Sequence, residues 1–266
     1  MRHFALARSS HPLPALAVTA IAAGLAAAVG GGALGVAAAV LPGQLSVGWL
    51  NDLVDADRDA RVGRSGKPVA RGEVSRRVVL VAAVISALAA VVLSLPFGIP
   101  ATAVHLVALG SAWAYDLGLK ATAFSVLPYA VSFGLLPVFV TLGSDTAPAS
   151  WLVLAAALLG AAAHFVNVLP DLADDAATGV RGLPHRLGAV RSTAVAALLV
   201  LATAVLLVLG PVGPSAGLLL LVLAVVLLST GLVLGRRPGS RAAFRAVILV
   251  ALLDVAALLG SGIPPG

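Results

Sequence analysis

Apolar windows of roughly 20 residues, the length an α-helix needs to cross a hydrocarbon core about 30 Å thick, recur from residue 13 to residue 260. No soluble domain fits between them. The chain of 266 residues is 60% hydrophobic and 11% charged, with a mean hydropathy of +1.08, far outside the range of soluble globular domains. These numbers describe a polytopic all-α membrane protein. The absence of Cys excludes a disulfide framework, a zinc-thiolate site and a haem attachment motif. The basic start, MRHFALARSS, is similar to a signal-peptide n-region, but the apolar run behind it is long and lacks a cleavage boundary, so it reads as a retained first helix.

Breakers divide the chain: GGG at 30–32, a charged stretch at 51–68, PFGIP at 96–100, LGLK at 117–120, GSDTAP at 143–148, DLADDAATGVRG at 171–182, GPVGP at 210–214 and GRRPGSR at 235–241. Nine spanning helices are expected, near 13–30, 33–55, 75–95, 100–118, 122–142, 150–171, 190–210, 213–234 and 241–260, within one domain over 1–266. The net charge of +6 matters less than its placement. With a cytoplasmic N-terminus, all 17 basic residues fall in cytoplasmic segments and the opposite loops hold none. The positive-inside rule then predicts N-in and C-out in the cell membrane, and the pattern needs no nucleic acid to explain it.

From Asn51, side chains at Asp55 and Asp59 follow at i+4 and i+8 along one helical stripe. Asn167, Asp171 and Asp175 repeat that spacing at a constant offset of 116 residues. Both copies sit at the cytoplasmic ends of helices that run in the same direction, so they can face each other across a repeat interface. Either copy alone could be a solvated helix end. Two matching triplets argue for a site, because an Asp at hydrocarbon depth costs about 2.5 to 3.5 kcal/mol on insertion. Hard oxygen ligands without thiolate suit Mg²⁺, which completes its shell with water and substrate phosphate; six such groups could hold two ions around one diphosphate. Arg64, Lys67, Lys120 and Arg181 lie on the same membrane face. The only two lysines, Lys67 and Lys120, suit point-charge contact with phosphate, although positive-inside bias also places cations there.

These residues resemble the first motif of the UbiA-type membrane prenyltransferases: Asn51-Asp52-x-x-Asp55-x-x-x-Asp59, then Lys67-Pro68 and Gly72-Glu73-Val74-Ser75. The second family motif, D-x-x-x-D-x-x-x-G, is matched by Asp171, Asp175 and Gly179, and a Tyr-x-x-x-Leu-Lys element by residues 115–120. Departures are Lys67, where many members carry Arg, and Pro170, which should kink the sixth helix and re-aim the second triplet. The resemblance implies a helical bundle with a central cavity, open sideways to lipid. It implies Mg²⁺ held by Asn51, Asp55, Asp59, Asn167, Asp171 and Asp175, and diphosphate held by Arg64, Lys67, Lys120 and Arg181. The implied reaction moves a polyprenyl group from its diphosphate to an aromatic quinone precursor or another lipid-soluble acceptor. Asp55, Asp59, Asp171, Asp175 and Tyr115 would carry it, with no obligate protein partner. Tyr115 would steady an allylic cation or bond the diphosphate; an interfacial belt aromatic is its plain alternative.

His164 lies one turn before Asn167 and could orient it or act as a base, or be a satisfied bundle histidine. His105 and His185 carry less signal. Asp254, near the middle of the last helix, is a functional candidate by depth alone, with an Arg partner or protonation as the simpler reading. Asp52, Asp57 and Asp174 flank the triplets and either brace them or are solvated. Two further functions fit the motifs: a membrane terpene cyclase, in which the cation is attacked by its own alkene, and an ion-coupled carrier, which would place its acids nearer the bilayer midplane.

Overall fold

The computed structural model describes residues 2–64, 66–209, 214–237 and 240–261. Twelve α-helices follow in order: α1 Arg2–Ser9, α2 Pro12–Ala28, α3 Ala33–Val54, α4 Ala56–Arg61, α5 Arg76–Ser94, α6 Ile99–Leu117, α7 Leu127–Leu142, α8 Ser150–Val168, α9 Leu172–Ala177, α10 Leu183–Leu209, α11 Pro214–Leu234 and α12 Ala242–Ser261. Among the described residues nine of these have 16 residues or more. Six segments, built on α3, α5, α8, α10, α11 and α12, are long and apolar enough to cross a membrane by length and composition. The GPVGP breaker lies, at 210–213, outside the described residues, as do Pro238 and Gly239.

The long helices pack as a ring. Each of α2–α3, α3–α5, α6–α7, α7–α8, α8–α10, α10–α11 and α11–α12 is a packed pair, α3 also meets α6, and α12 closes onto α2. One apolar cluster joins Leu25, Val40, Phe139, Leu152, Leu207 and Leu258. Another joins Val166, Val200, Leu228 and Val247. Large apolar side chains such as Ile85, Leu88, Val92 and Leu198 stay exposed on the outside, the pattern of a bundle whose solvent is lipid.

Several boundaries differ from the sequence expectations, each for a local reason. The helix expected at 122–142 starts at Leu127, because Leu119–Ala121 forms a 3₁₀ turn and Pro128 sits in the first turn of α7. The helix expected at 190–210 begins at Leu183 and is broken at Gly188, whose φ of 77° and ψ of 168° only glycine adopts cheaply. The helix expected at 150–171 stops at Val168, and Leu169–Asp171 is a 3₁₀ turn containing Pro170. That break is the kink the proline implied. The basic start folds as α1, which docks on α3 through Trp49 Nε1 donating to the Leu6 carbonyl at 2.8 Å.

Candidate active site

Both acidic motifs are built on the same local scaffold. A long helix ends (α3 at Val54, α8 at Val168), and a six-residue helix follows, α9 at 172–177 lying 116 residues after α4 at 56–61. Asp55 and Asp171 stand at the head of the short helices, and Asp59 and Asp175 one turn inside them. The expected single stripe on the second helix is therefore corrected: Asn51 belongs to α3, Asp59 to α4, and Asp55 to the joint. The side chains still line up, because Asp55 N bonds the Asn51 carbonyl at 3.0 Å and Asp59 N the Asp55 carbonyl at 2.8 Å.

The motifs meet through arginines. Arg64 lies 3.2 Å from Asp59 Oδ1, 3.4 Å from Asp171 Oδ1 and 3.3 Å from Asp175 Oδ1. Arg58 lies 2.7 Å from Asp55 Oδ2 and 3.8 Å from Asp175 Oδ1. Burial lowers the Arg64 guanidinium, but Asp171, Asp59 and Asp175 outweigh it and hold the group above its ordinary value. Burial pushes the Asp59 carboxyl up, against Lys67 and Arg64, which pull it down.

The two lysines take separate places. Lys67 Nζ donates to Asn51 Oδ1 at 3.3 Å and stands 3.2 Å from Asp52 Oδ1. Asp52 thus braces Lys67, while Asp57 pairs with Arg76 and the exposed Asp174 stands 3.8 Å from Arg64. Lys67 also lies 3.1 Å from His11 Nε2. Burial first, then Lys67 and Arg241, lowers the His11 imidazole to about 3, so it is neutral and accepts from the ammonium. Its 3.8 Å approach to Asp52 is accordingly no ion pair. Lys120 Nζ bonds Asp55 Oδ1.

Lys120 is placed by a close approach. A Cβ on Gly182 would stand 2.5 Å from the Lys120 carbonyl oxygen and 2.8 Å from Ser125 Oγ, so only glycine lets the loop after α9 reach the turn that carries Lys120. Leu183 N then donates to Ser125 Oγ at 2.9 Å.

Above these charges opens a cavity of about 480 Å³. Asn51, Asp55, Arg64, Lys67, Lys120, Asn167, Asp171 and Asp175 line its polar end, and Leu25, Leu136, Leu152, Leu207 and Leu258 its remainder. Tyr115 lines it too, edge-on to Tyr129 with ring centroids 5.1 Å apart. His164 bonds Ser125 at 3.0 Å and packs 5.6 Å from Tyr115 and 5.1 Å from Tyr129. It does not orient Asn167; Tyr129 does, accepting from Asn167 Nδ2 at 3.1 Å. Arg181 is exposed and absent from the cavity wall, so a diphosphate contact from it has no geometric support. Asp59 is fully buried behind Arg64 and Lys67.

Four participants were missed from sequence, and a fifth, His185, was given little signal. Asp116 accepts from Asn51 Nδ2 at 2.8 Å, and its place beside Tyr115 was the available signal. Arg58 sits three residues after Asp55, a spacing that puts a pair on one helix face. Arg241 bonds Asn167 Oδ1 at 2.9 Å and Asp171 Oδ2 at 2.7 Å; Tyr129 and His185, 3.5 Å from Asp175, join likewise by tertiary contact.

The donor set is all oxygen, which fits Mg²⁺. Asp59 Oδ2 is buried without a hydrogen-bond partner, 3.7 Å from Lys67 Nζ. Among the described residues no three acid or imidazole groups stand close enough to clasp an ion as they are. Arginine and lysine separate the carboxylates, so binding an ion there requires the acids to change partners.

A family model for the UbiA prenyltransferase family matches residues 12–254. The chain belongs to the UbiA prenyltransferase family. Six segments able to cross a membrane make this UbiA chain a multi-pass membrane protein. It is 34% identical over 151 residues to a digeranylgeranylglyceryl phosphate synthase of Natronomonas pharaonis, covering 56% of this chain and 54% of that one. It is 30% identical over 151 residues to a 4-hydroxybenzoate octaprenyltransferase of Thiobacillus denitrificans, covering 55% and 52%. The UbiA chain thus spans about half the length of these curated relatives. A UbiA homolog from Archaeoglobus fulgidus, solved bound to GPP and Mg²⁺, matches with a TM-score of 0.73 at 16% identity, over 97% of this chain and 99% of that one. At that identity the likeness is one of fold.

Proposed function

We propose that this UbiA-family chain transfers a prenyl group from a prenyl diphosphate to a lipid-soluble acceptor, with diphosphate as the other product. The observation that carries this reading is the meeting of two acidic motifs through Arg58 and Arg64 at one end of a largely apolar cavity. The relatives named as a digeranylgeranylglyceryl phosphate synthase and a 4-hydroxybenzoate octaprenyltransferase support it.

Asn51, Asp55, Asp59, Asn167, Asp171 and Asp175 would hold Mg²⁺, as two ions, supplying charge neutralisation at the diphosphate. The chain's own residues do the rest. Lys67, Lys120, Arg58 and Arg64 turn toward the phosphate oxygens and stabilise the charge that grows there as the C1–O bond breaks. The allylic cation left behind lies near the rings of Tyr115 and Tyr129, whose faces attract it. The acceptor's nucleophilic carbon or oxygen then bonds C1 and loses its proton. The apolar wall holds the tail at about 0.8 kcal/mol per buried CH₂ and keeps water, a competing nucleophile, from the cation.

The same reading takes the chain as one domain over 1–266 with nine spans, N-terminus in and site toward the cytoplasm. The segregation of its 17 basic residues supports that orientation.

The test is pyrophosphate release from labelled geranylgeranyl diphosphate by the purified chain with Mg²⁺ and a lipid extract. Loss of release in Asp55→Ala and Asp171→Ala is expected; release untouched by both substitutions would sink the proposal. The aromatic cluster beside the motifs equally suits attack by the donor's own alkene. A product of unchanged carbon number would identify cyclisation.

A further inference from the structure

Asp254 lines the cavity with its Oδ2 unbonded, so no Arg satisfies that atom. His11 lines the same cavity in contact with one of the cations assigned to the phosphate.

His11 is the joint between α1 and α2, held in the left-handed region with φ 52° and ψ 62°. Three contacts seat that joint against α3 and the segment behind Lys67. Trp49 Nε1 donates to the Leu6 carbonyl, Arg8 stands 3.5 Å from Glu73, and a Cβ on Gly48 would lie 1.9 Å from the Ser10 carbonyl oxygen. Only glycine at 48 lets the joint come so close, and the approach brings His11 Nε2 to 3.1 Å from Lys67 Nζ. The family model starts at residue 12, so α1 and His11 lie outside the part of the chain that it matches.

The Lys67 ammonium hydrogen-bonds two neutral acceptors, His11 Nε2 and Asn51 Oδ1. Two carboxylate oxygens stand beside the same ammonium, Asp52 Oδ1 at 3.2 Å and Asp59 Oδ2 at 3.7 Å, and both are buried without a hydrogen-bond partner. An ionised carboxylate is the stronger acceptor. With the imidazole gone, the three N–H groups of the ammonium suffice for Asn51 and both carboxylates. Lys67 would then close on Asp59, draw back from the cavity and occupy an oxygen assigned to Mg²⁺. A bond to a neutral nitrogen, by contrast, is readily exchanged for one to a phosphate oxygen. We propose that His11 is a positioning residue, which holds Lys67 off Asp59 before the donor arrives and yields the ammonium to the donor's diphosphate. The inference rests on the prenyl diphosphate reading and deepens it.

The full chain in lipid nanodiscs would be titrated with a labelled fifteen-carbon prenyl thiodiphosphate, an analogue that binds but ionises slowly, over a range of Mg²⁺ concentrations. Pyrophosphate release from geranylgeranyl diphosphate in lipid extract is followed alongside. His11→Gly suits the left-handed joint and removes the acceptor, whereas His11→Gln returns an acceptor at the reach of Nε2. In His11→Gly the Kd of the analogue and the KM of the donor should rise on the order of tenfold. More Mg²⁺ should be needed to half-saturate analogue binding, and kcat should change little. His11→Gln should recover most of the loss. In a Lys67→Met background His11→Gly should add nothing to the Kd. An undiminished rise in that background overturns the proposal, as does a fall in kcat and unfolding temperature with Kd and Mg²⁺ dependence unmoved. Should the Gly variant fail to fold, His11→Asn decides in its place, since its amide tolerates the same φ and is too short to reach Lys67. Binding that ignores every His11 substitution defeats His11 alone. No analogue binding and no pyrophosphate release by the unaltered chain defeats the prenyl diphosphate reading beneath it.

Discussion

Arg241 Nη2 stands 2.7 Å from Asp171 Oδ2, joining the start of the last long helix to the second acidic motif. The pair is partly exposed, so its worth to folding is small, about 0 to 1 kcal/mol. Its larger effect is competition, since the same guanidinium also bonds Asn167 Oδ1 at 2.9 Å. Arg241→Ala should therefore barely change the unfolding temperature, lower the Mg²⁺ concentration that half-activates the chain, and raise KM for the donor. Thermal unfolding in detergent and a Mg²⁺ titration of pyrophosphate release check both halves.

The four carboxylates should act as a unit. Asp55 and Asp171 come from separate halves but share Arg58 and Arg64 with Asp59 and Asp175. Each single Ala substitution should cost about a hundredfold or more in release, and the double substitution no more than the worse single. Additive losses would show that the halves work independently.

Lys67→Met leaves the buried Asp52 carboxylate without its 3.2 Å partner. Removing one member of such a pair costs about 3 kcal/mol. Asp52→Asn in the same chain should restore much of the stability and none of the activity, a separation that a double-mutant cycle in detergent resolves.

Gly182→Ala should lower both stability, by about 1 to 3 kcal/mol, and activity. The added Cβ would meet the Lys120 carbonyl oxygen at 2.5 Å and push the turn that holds Lys120 away from Asp55. Gly179→Ala, where nothing lies within 4 Å of the added Cβ, should cost only the strain of a positive φ.

Much of this was legible in the sequence because lipid enforces simple rules. Runs of apolar residues mark helices, and the offset between Asn51 and Asn167 marks the repeat. Lys67 and Lys120 stood out by being the only lysines, and both reach the acids. Arg181 shared their charge and not their place, because the loop after α9 turns it outward while Gly182 turns in. Arg241 was invisible for the opposite reason: its role arises where α12 packs beside α8, which spacing along one helix does not encode. The joint at Asp55 was also illegible, since no proline or glycine breaks the helix there.

The two joints differ in stiffness. At Asp55 the backbone ladder runs through, with bonds of 3.0 and 2.8 Å on either side. At Asp171 the chain passes through a 3₁₀ turn, and Pro170 has no N–H to give. Strain from a closing site would concentrate in the softer joint, leaving the first motif as the anvil and the second as the part that yields.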